Sequence, residues 1–374
     1  MSKPADNAPG ILVSQQIAAM LRAGQIKTEI PVEPGQLQPA SLDLRLGAVA
    51  YRVRASFMPG PRTQVMDKVG LFGMHQIDLT QGAVLEKGCV YIVPLMEALA
   101  LPAAISAIAN PKSSTGRLDV FTRVITDRGD SFDRIQPGYA GALYAEIAPR
   151  TFSIKVRQGS RLGQIRFVRD AARAERPDLP ALHRARRLVD AAAGEEVLRD
   201  NLLGVTLDLE GDARTGLVGY RAKPHADVID VDRRGACDPA EFWEPIPARR
   251  GRGLILHPDD FYILATRECV AVPPDYAAEM IAYDTMVGEF RVHYAGFFDP
   301  GFGWTPDPAV RHSRGVLEVR SHEVPFLLEH GQIVGWLRYE KLAAKPETVY
   351  GEGALGSHYQ RQGLALSKHF KPWG

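Results

Sequence analysis

The sequence predicts a mainly β protein made of two similar halves. Three observations carry that prediction. Short stretches of alternating apolar residues, separated by Pro/Gly turns, recur along the 374-residue chain. Helix-type composition marks only a short N-terminal segment and one stretch near the middle. One pattern of residues also occurs twice. Two copies are too few for a solenoid, so a duplicated all-β domain is the economical architecture.

In the first copy, Pro111-Lys112-Ser113-Ser114-Thr115-Gly116-Arg117 is followed by Ile135-Gln136-Pro137-Gly138-Tyr139 and then Glu146. The second reads Tyr283-Asp284-Thr285-Met286-Val287-Gly288-Glu289, then Phe298-Asp299-Pro300-Gly301-Phe302, then Glu318. Only the first copy keeps the paired serines and the arginine.

Taken in order, Ser14 followed by Gln15 to Ala23 and then Gly24 predicts a short helix with a serine N-cap, Ile17, Met20 and Leu21 on one face, and a glycine stop. The chain then turns β-rich. Alternation predicts strands at Ser41-Leu42-Asp43-Leu44-Arg45-Leu46, Val90-Tyr91-Ile92-Val93, Leu143-Tyr144-Ala145-Glu146-Ile147 and Arg161-Leu162-Gly163-Gln164-Ile165-Arg166-Phe167. From Asp170 to Leu202 the composition shifts to Ala, Arg, Glu and Leu, with Leu182, Arg186 and Val189 at helical spacing, which predicts a helical connector. Its basic cluster, His183, Arg184, Arg186 and Arg187, reads as a solvated face.

The second copy restarts at Val205-Thr206-Leu207-Asp208-Leu209, an echo of Ala40-Ser41-Leu42-Asp43-Leu44. Phe261-Tyr262-Ile263-Leu264 then echoes Val90-Tyr91-Ile92-Val93, Val272-Pro273 matches Leu101-Pro102, and Gly331-Gln332-Ile333-Val334-Gly335 repeats Gly159-Ser160-Arg161-Leu162-Gly163. The expected boundaries are a first domain over 1–170, a connector over 171–202, a second domain over 203–345 and a tail over 346–374.

Lysine plus arginine number 45 and aspartate plus glutamate 44, so bulk charge argues for neither a nucleic-acid nor a membrane partner. Any phosphate-binding charge is therefore local. Three scattered cysteines without a CxxC pair suggest neither a disulfide framework nor a thiolate zinc site, which points to a reducing cytoplasm. Met1 to Gly10 has no apolar core of a signal peptide, and no run of about twenty apolar residues occurs.

Lys112 to Arg117 packs two cations, hydroxyls and a glycine into six positions, a composition that could hold a polyphosphate or form a solvated turn. Glu146 lies in a strand whose Leu143, Ala145 and Ile147 share one face, which puts Tyr144 and Glu146 on the other. Periodicity alone favours a solvent-facing glutamate; the sharper reading is a general acid/base on a rigid strand. Gly351-Glu352-Gly353-Ala354-Leu355-Gly356 fits GxGxxG but lacks a following βαβ unit. The H-x-E…PCxxC signature of zinc deaminases is missing; His322-Glu323 has neither its spacing nor its cysteines.

These residues resemble the dCTP deaminases of the dUTPase-like superfamily. Gln36-Leu37-Gln38-Pro39-Ala40-Ser41-Leu42-Asp43-Leu44-Arg45-Leu46-Gly47 is similar to that family's N-terminal signature, Lys112 to Arg117 to its R-S-S-x-x-R loop, and Arg134-Ile135-Gln136-Pro137-Gly138-Tyr139-Ala140-Gly141 with Glu146 to its R-I-D-P-G-[WF]-x-G…E segment. His358-Tyr359-Gln360-Arg361-Gln362-Gly363 resembles its closing K-Y-x-x-Q-x-G tail. The whole chain resembles the long, duplicated form of the enzyme.

The resemblance implies two tandem dUTPase-like (distorted jelly-roll, or β-clip) domains and zinc-independent deamination of dCTP to dUTP and ammonia, towards dUMP and dTTP synthesis. It implies magnesium travelling with the triphosphate and no zinc. Glu146 is then the acid/base, Ser113 holds the water or the base, and Arg117 orients Glu146 and favours its ionised form. Lys112, Ser114, Thr115 and Gly116 would meet phosphate or sugar, Gln136, Tyr144 and Ala145 would line the nucleoside site, and Tyr350, His358 and Gln362 would close over the triphosphate. A homo-oligomer with sites between subunits, a trimer in this superfamily, is implied as well.

Three departures from the family pattern stand out: Gln136 replaces its sugar-associated aspartate, His358 its tail lysine and Lys112 its leading arginine. With Thr285, Met286 and Glu289 where hydroxyls and arginine belong, the second copy reads as structural, although Asp299 leaves a shared site open. The competing readings are an enzyme that also or only splits dUTP, a non-catalytic nucleotide sensor, and a zinc-dependent deaminase.

Overall fold

A computed structural model describes residues 8–191, 197–249, 251–282, 290–293, 296–305, 313–321, 323–351 and 362–373, with backbone alone for 282 and 290–293. The chain is mainly β, as the sequence predicts. It forms two compact units that interleave rather than follow chain order. The first runs to Glu175 and takes in Asp227–Cys237 and Leu342–Thr348; the second comprises Arg176–Ala226, Asp238–Lys341 and the chain from Val349.

Hydrogen bonds explain why the boundaries differ from the expected 1–170, 171–202, 203–345 and 346–374. Ile229–Asp230 pairs in parallel with Ile154–Val156 of the first unit. Arg157 clamps that strand with both ends of its fork, Nη2 to Asp230 Oδ2 at 2.8 Å and Nη1 to Oδ1 at 3.0 Å, and Ser160 Oγ meets Asp232 at 2.6 Å. Further on, Ala343 N–H donates to Ile11 O at 2.7 Å.

In the first unit, helix α1 (Ser14–Arg22) forms where expected and buries Ile17 and Met20. Ser14 is its first residue rather than the cap: Val13 takes the cap position, and its N–H donates to Gln16 Oε1 at 3.2 Å. Gly24, at φ +68°, closes it with a Schellman turn, Gly24 N–H to Leu21 O and Gln25 N–H to Met20 O. Two antiparallel sheets follow. One centres on Arg161–Arg169, flanked by Leu42–Arg45 and Ile105–Pro111; the other runs Gly73–Asp78, Val49–Val53, Val90–Ala100, Ala140–Pro149, Val120–Thr126. Leu42, Leu99, Ile105, Leu143, Ile165 and Phe167 join their inner faces in one core.

Inside that core the signature Leu42-Asp43-Leu44-Arg45 has a structural task. Arg45 is fully buried and pairs with buried Glu97 at 2.7 Å, and its remaining donors reach Pro31 O, Thr28 Oγ1 and Ile30 O. Gln36 Nε2 and the Arg45 N–H complete the carboxylate, each at 2.8 Å. Such a pair is tolerated because each side-chain nitrogen of Arg45 and both oxygens of Glu97 have a partner.

The second unit repeats these pairings. Glu146 faces Ile92 across the Val90–Ala100 strand, and Glu318 faces Ile263 in the same way. Leu101 N–H bonds Tyr139 O and Val272 N–H bonds Phe302 O, which places Asp299 at the turn position of Gln136. One expected alignment shifts. Leu42 pairs with Ile165 and Leu203 with Leu337, so Leu203, four residues before Leu207, stands where Leu42 stands. Asp43 therefore matches Gly204, and Arg45 matches Thr206, whose hydroxyl and N–H hold Glu268 at 2.5 and 2.8 Å.

The expected helical connector is shorter than its composition suggests. Its helix covers only Leu179–Arg186; Arg187 turns left-handed at φ +42°, and Val189 forms a bridge with Val270 instead.

Candidate active site

Glu146 is 1% exposed on Ala140–Pro149, an interior strand with neighbours on both sides. The alternation read from the sequence stands, since Leu143 enters the main core while Tyr144 enters a second cluster with Val53, Val65, Val69, Ile92 and Ile125. The solvent-facing reading does not stand. Residues 54–72, which end in helix α2 (Val65–Phe72), fold over the Tyr144 face and supply Val65 and Val69. Asp127 starts that helix by accepting the Val65 N–H at 2.8 Å.

A buried carboxylate needs a partner, and the one on Glu146 is Arg123, directly opposite it in the Val120–Thr126 strand. Nε at 3.1 Å and Nη2 at 2.5 Å both donate to Oε1, whereas Oε2 is buried without a hydrogen bond. Nη2 also reaches Ser56 Oγ at 3.2 Å, and the guanidinium stacks 3.7 Å from the centre of the Phe132 ring. Asp133, half-buried beside this cation, accepts the Val124 N–H at 2.7 Å. Desolvation pushes its carboxyl up to about 7, against the opposing pull of that hydrogen bond and of Arg123. Burial likewise raises Tyr144, and pushes Tyr139 to about 12 with its hydroxyl donating to Ala142 O.

Sequence reasoning missed Arg123, Ser56 and Asp133. The available signal was a lone arginine inside the apolar stretch of Val120–Thr126, since an arginine in such a run is rarely unpaired; only the pairing register connects it to Glu146. The resemblance gives the orienting place to Arg117, while the cation that holds Glu146 in this chain is Arg123.

Ser113 to Gly116 form the short helix α3, with Ser113 exposed and Ser114, Thr115, Gly116 and Arg117 buried. Lys112 pairs with the buried Asp43 carboxylate. This turn leads into the strand where Val120 pairs with Pro149, three register positions from the Arg123–Glu146 pair, roughly 10 Å along the strand.

Gln136 is exposed and, with Gln64, Thr126, Asp127, Arg134 and Tyr139, lines a cleft of about 490 Å³ at the other end of the Glu146 strand. Ala145 and Tyr144 lie between this cleft and Glu146 in sequence, and both are buried. Tyr350 and Gln362 belong to the second unit: the Tyr350 ring packs 5.6 Å from Phe302, and Gln362 Nε2 donates to Arg314 O at 3.1 Å. His358, the loop from Tyr283 to Glu289, and most of the Gly351 to Gly356 motif lie outside the described residues. Among the described residues, no three His, Cys, Asp or Glu side chains come together as a metal site would require, and no helix is long and apolar enough to cross a membrane.

The chain matches two family models, the N-terminal domain of 2′-deoxycytidine 5′-triphosphate deaminase over residues 8–171 and its C-terminal domain over residues 174–370. It is similar to the crystal structure of the 2′-deoxycytidine 5′-triphosphate deaminase from Agrobacterium tumefaciens, with 56% identity, a TM-score of 0.85, and coverage of 91% of this chain and 100% of that one. Curated relatives include a dUMP-forming dCTP deaminase of a Nocardioides species, 30% identical over 168 residues that make up 45% of this chain and 84% of the relative. A protein of the same description from Methanobrevibacter smithii is 31% identical over 143 residues, 37% of this chain and 66% of the relative.

Proposed function

Because the chain belongs to the 2′-deoxycytidine 5′-triphosphate deaminase family of enzymes, we propose that it deaminates dCTP to dUTP and ammonia with Glu146 as the general acid/base. The observation that carries this reading is a fully buried carboxylate on an interior strand, with one oxygen held by Arg123 and the other unbonded. Such a group can take a proton from water as its oxygen bonds to C4, pass it to N3, and later deliver a second to the departing amine. Oxygen enters, ammonia leaves, and the carboxylate is restored.

In this reading Ser113 holds the water or the base, Arg117 helps to orient Glu146, and Lys112, Ser114, Thr115 and Gly116 receive the triphosphate or the sugar. Lys112 must then exchange its Asp43 partner for phosphate. Gln136, Tyr144 and Ala145 border the nucleoside, with the 490 Å³ cleft as the space that takes it. Tyr350, His358 and Gln362 close the site, magnesium arrives as part of the nucleotide substrate, and zinc takes no part. The enzyme works as a cytoplasmic homo-oligomer, a trimer, whose second unit is a scaffold.

A second reading, that the dUTP is split onward to dUMP and pyrophosphate, is favoured by the dUMP-forming descriptions of the curated relatives. Incubation of the enzyme with dCTP and magnesium, with ammonia measured and nucleotides separated by chromatography, decides. Ammonia with dUTP supports the first reading, ammonia with dUMP the second. Tight dCTP binding without any ammonia would refute both and leave a sensor.

A further inference from the structure

We propose that Arg123 is a positioning residue for this reaction: it locks Oε1 of Glu146 so that Oε2 alone exchanges protons with the water and the departing amine. The inference rests on the deamination reading and divides the work between the two oxygens of one carboxylate.

The terminal torsion of a glutamate is broad and nearly two-fold, so an unrestrained carboxylate presents either oxygen. Here Nε and Nη2 of Arg123 both aim at Oε1, at 3.1 and 2.5 Å, and leave Oε2 buried and unbonded. The clamp is itself fixed. Its backbone is the register partner of Glu146, its Nη2 meets Ser56 Oγ at 3.2 Å, and its face lies on Phe132 at 3.7 Å. Ser56 comes from the segment that covers the Tyr144 face, so closure of that segment and the posture of Glu146 are linked through one guanidinium.

Arginine keeps its proton throughout. Only Oε2 cycles: it takes a proton as the water oxygen bonds to C4, gives it to N3, takes the hydroxyl proton as the tetrahedral centre collapses, and passes that to the amine as the C4–N bond breaks. The charged groups facing Arg123 are Glu146 on its neighbouring strand and Asp133 on the adjoining turn.

The test is steady-state kinetics of Arg123→Ala and Arg123→Lys on dCTP. Arg123→Ala is expected to lose about 100-fold in kcat with little change in KM and to regain activity with millimolar guanidinium. Glu146→Gln should show no such rescue. Arg123→Lys keeps the charge but not the fork, so it should still lose about tenfold in kcat. Wild-type kcat in Arg123→Ala would overturn the inference. Should that variant fail to fold, undiminished kcat in Arg123→Lys would overturn it alone. Absence of ammonia from the wild-type enzyme would instead overturn the deamination reading, and the inference with it.

Discussion

At the scale of single residues, buried charge is organised in two ways. Arg45 and Glu97 are both fully buried, and both carboxylate oxygens are bonded, one by Arg45 Nε and Gln36 and the other by a backbone N–H, so this pair holds the fold. Glu97→Ala should cost about 3–5 kcal/mol of stability in urea titrations, because it strands a buried guanidinium. Glu146, by contrast, keeps one oxygen open. Asp133 adds a pH signature: its carboxyl stays protonated to about 7 in the folded chain but ionises near the ordinary 3.8 when unfolded. Between those values the native state binds the extra proton, so this group's contribution to stability falls as pH rises. Asp133→Asn keeps the acceptor for the Val124 N–H and suits the positive φ of 60°. It should raise Tm at pH 8 and leave it nearly unchanged at pH 4. The sequence made Glu146 and the Lys112 to Arg117 turn legible through a motif; Arg123 was hidden because strand register, which pairs it with Glu146, depends on chain 23 residues away.

At the scale of elements, strands were readable and the cover was not. Alternation marked Ala140–Pro149 and Arg161–Arg169, since a sheet face buried on one side imposes a period of two. Helix α2 escaped because its apolar residues are split: Val65 and Val69 turn inward while Leu71 is 68% exposed, and the helix start depends on Asp127, 62 residues away. Its work is to keep the Tyr144 face dry. Val69→Ala should cost about 1–3 kcal/mol and speed amide exchange over residues 65–72 without affecting α1, which packs in a different cluster. Faster exchange in α1 as well would mean that α2 and the main core open together. The strap at Asp227–Cys237 was equally invisible, because a parallel pairing with Ile154–Val156 leaves no trace in local periodicity.

At the scale of the whole molecule, equivalent registers have been given unequal chemistry. Glu318 is buried at the place of Glu146, and Asp299 at the turn of Gln136, but the residue in register opposite Glu318 is His293 where the first unit has Arg123. The repeated pattern was legible because both units must close the same pairings. Its alignment slipped by four residues at Leu203 because a short alternating strand looks alike at every even shift, and only the contacts of Glu268 and Gln332 fix its place. In the proposed reaction the first unit alone performs the acid–base step. Ammonia release from dCTP, measured side by side for Glu146→Gln and Glu318→Gln in the full chain, tests it most directly. Glu146→Gln should lose about 100-fold or more and Glu318→Gln should keep near wild-type turnover; retained activity in Glu146→Gln, or an equal loss in both, would show that the step is not carried by the first unit alone.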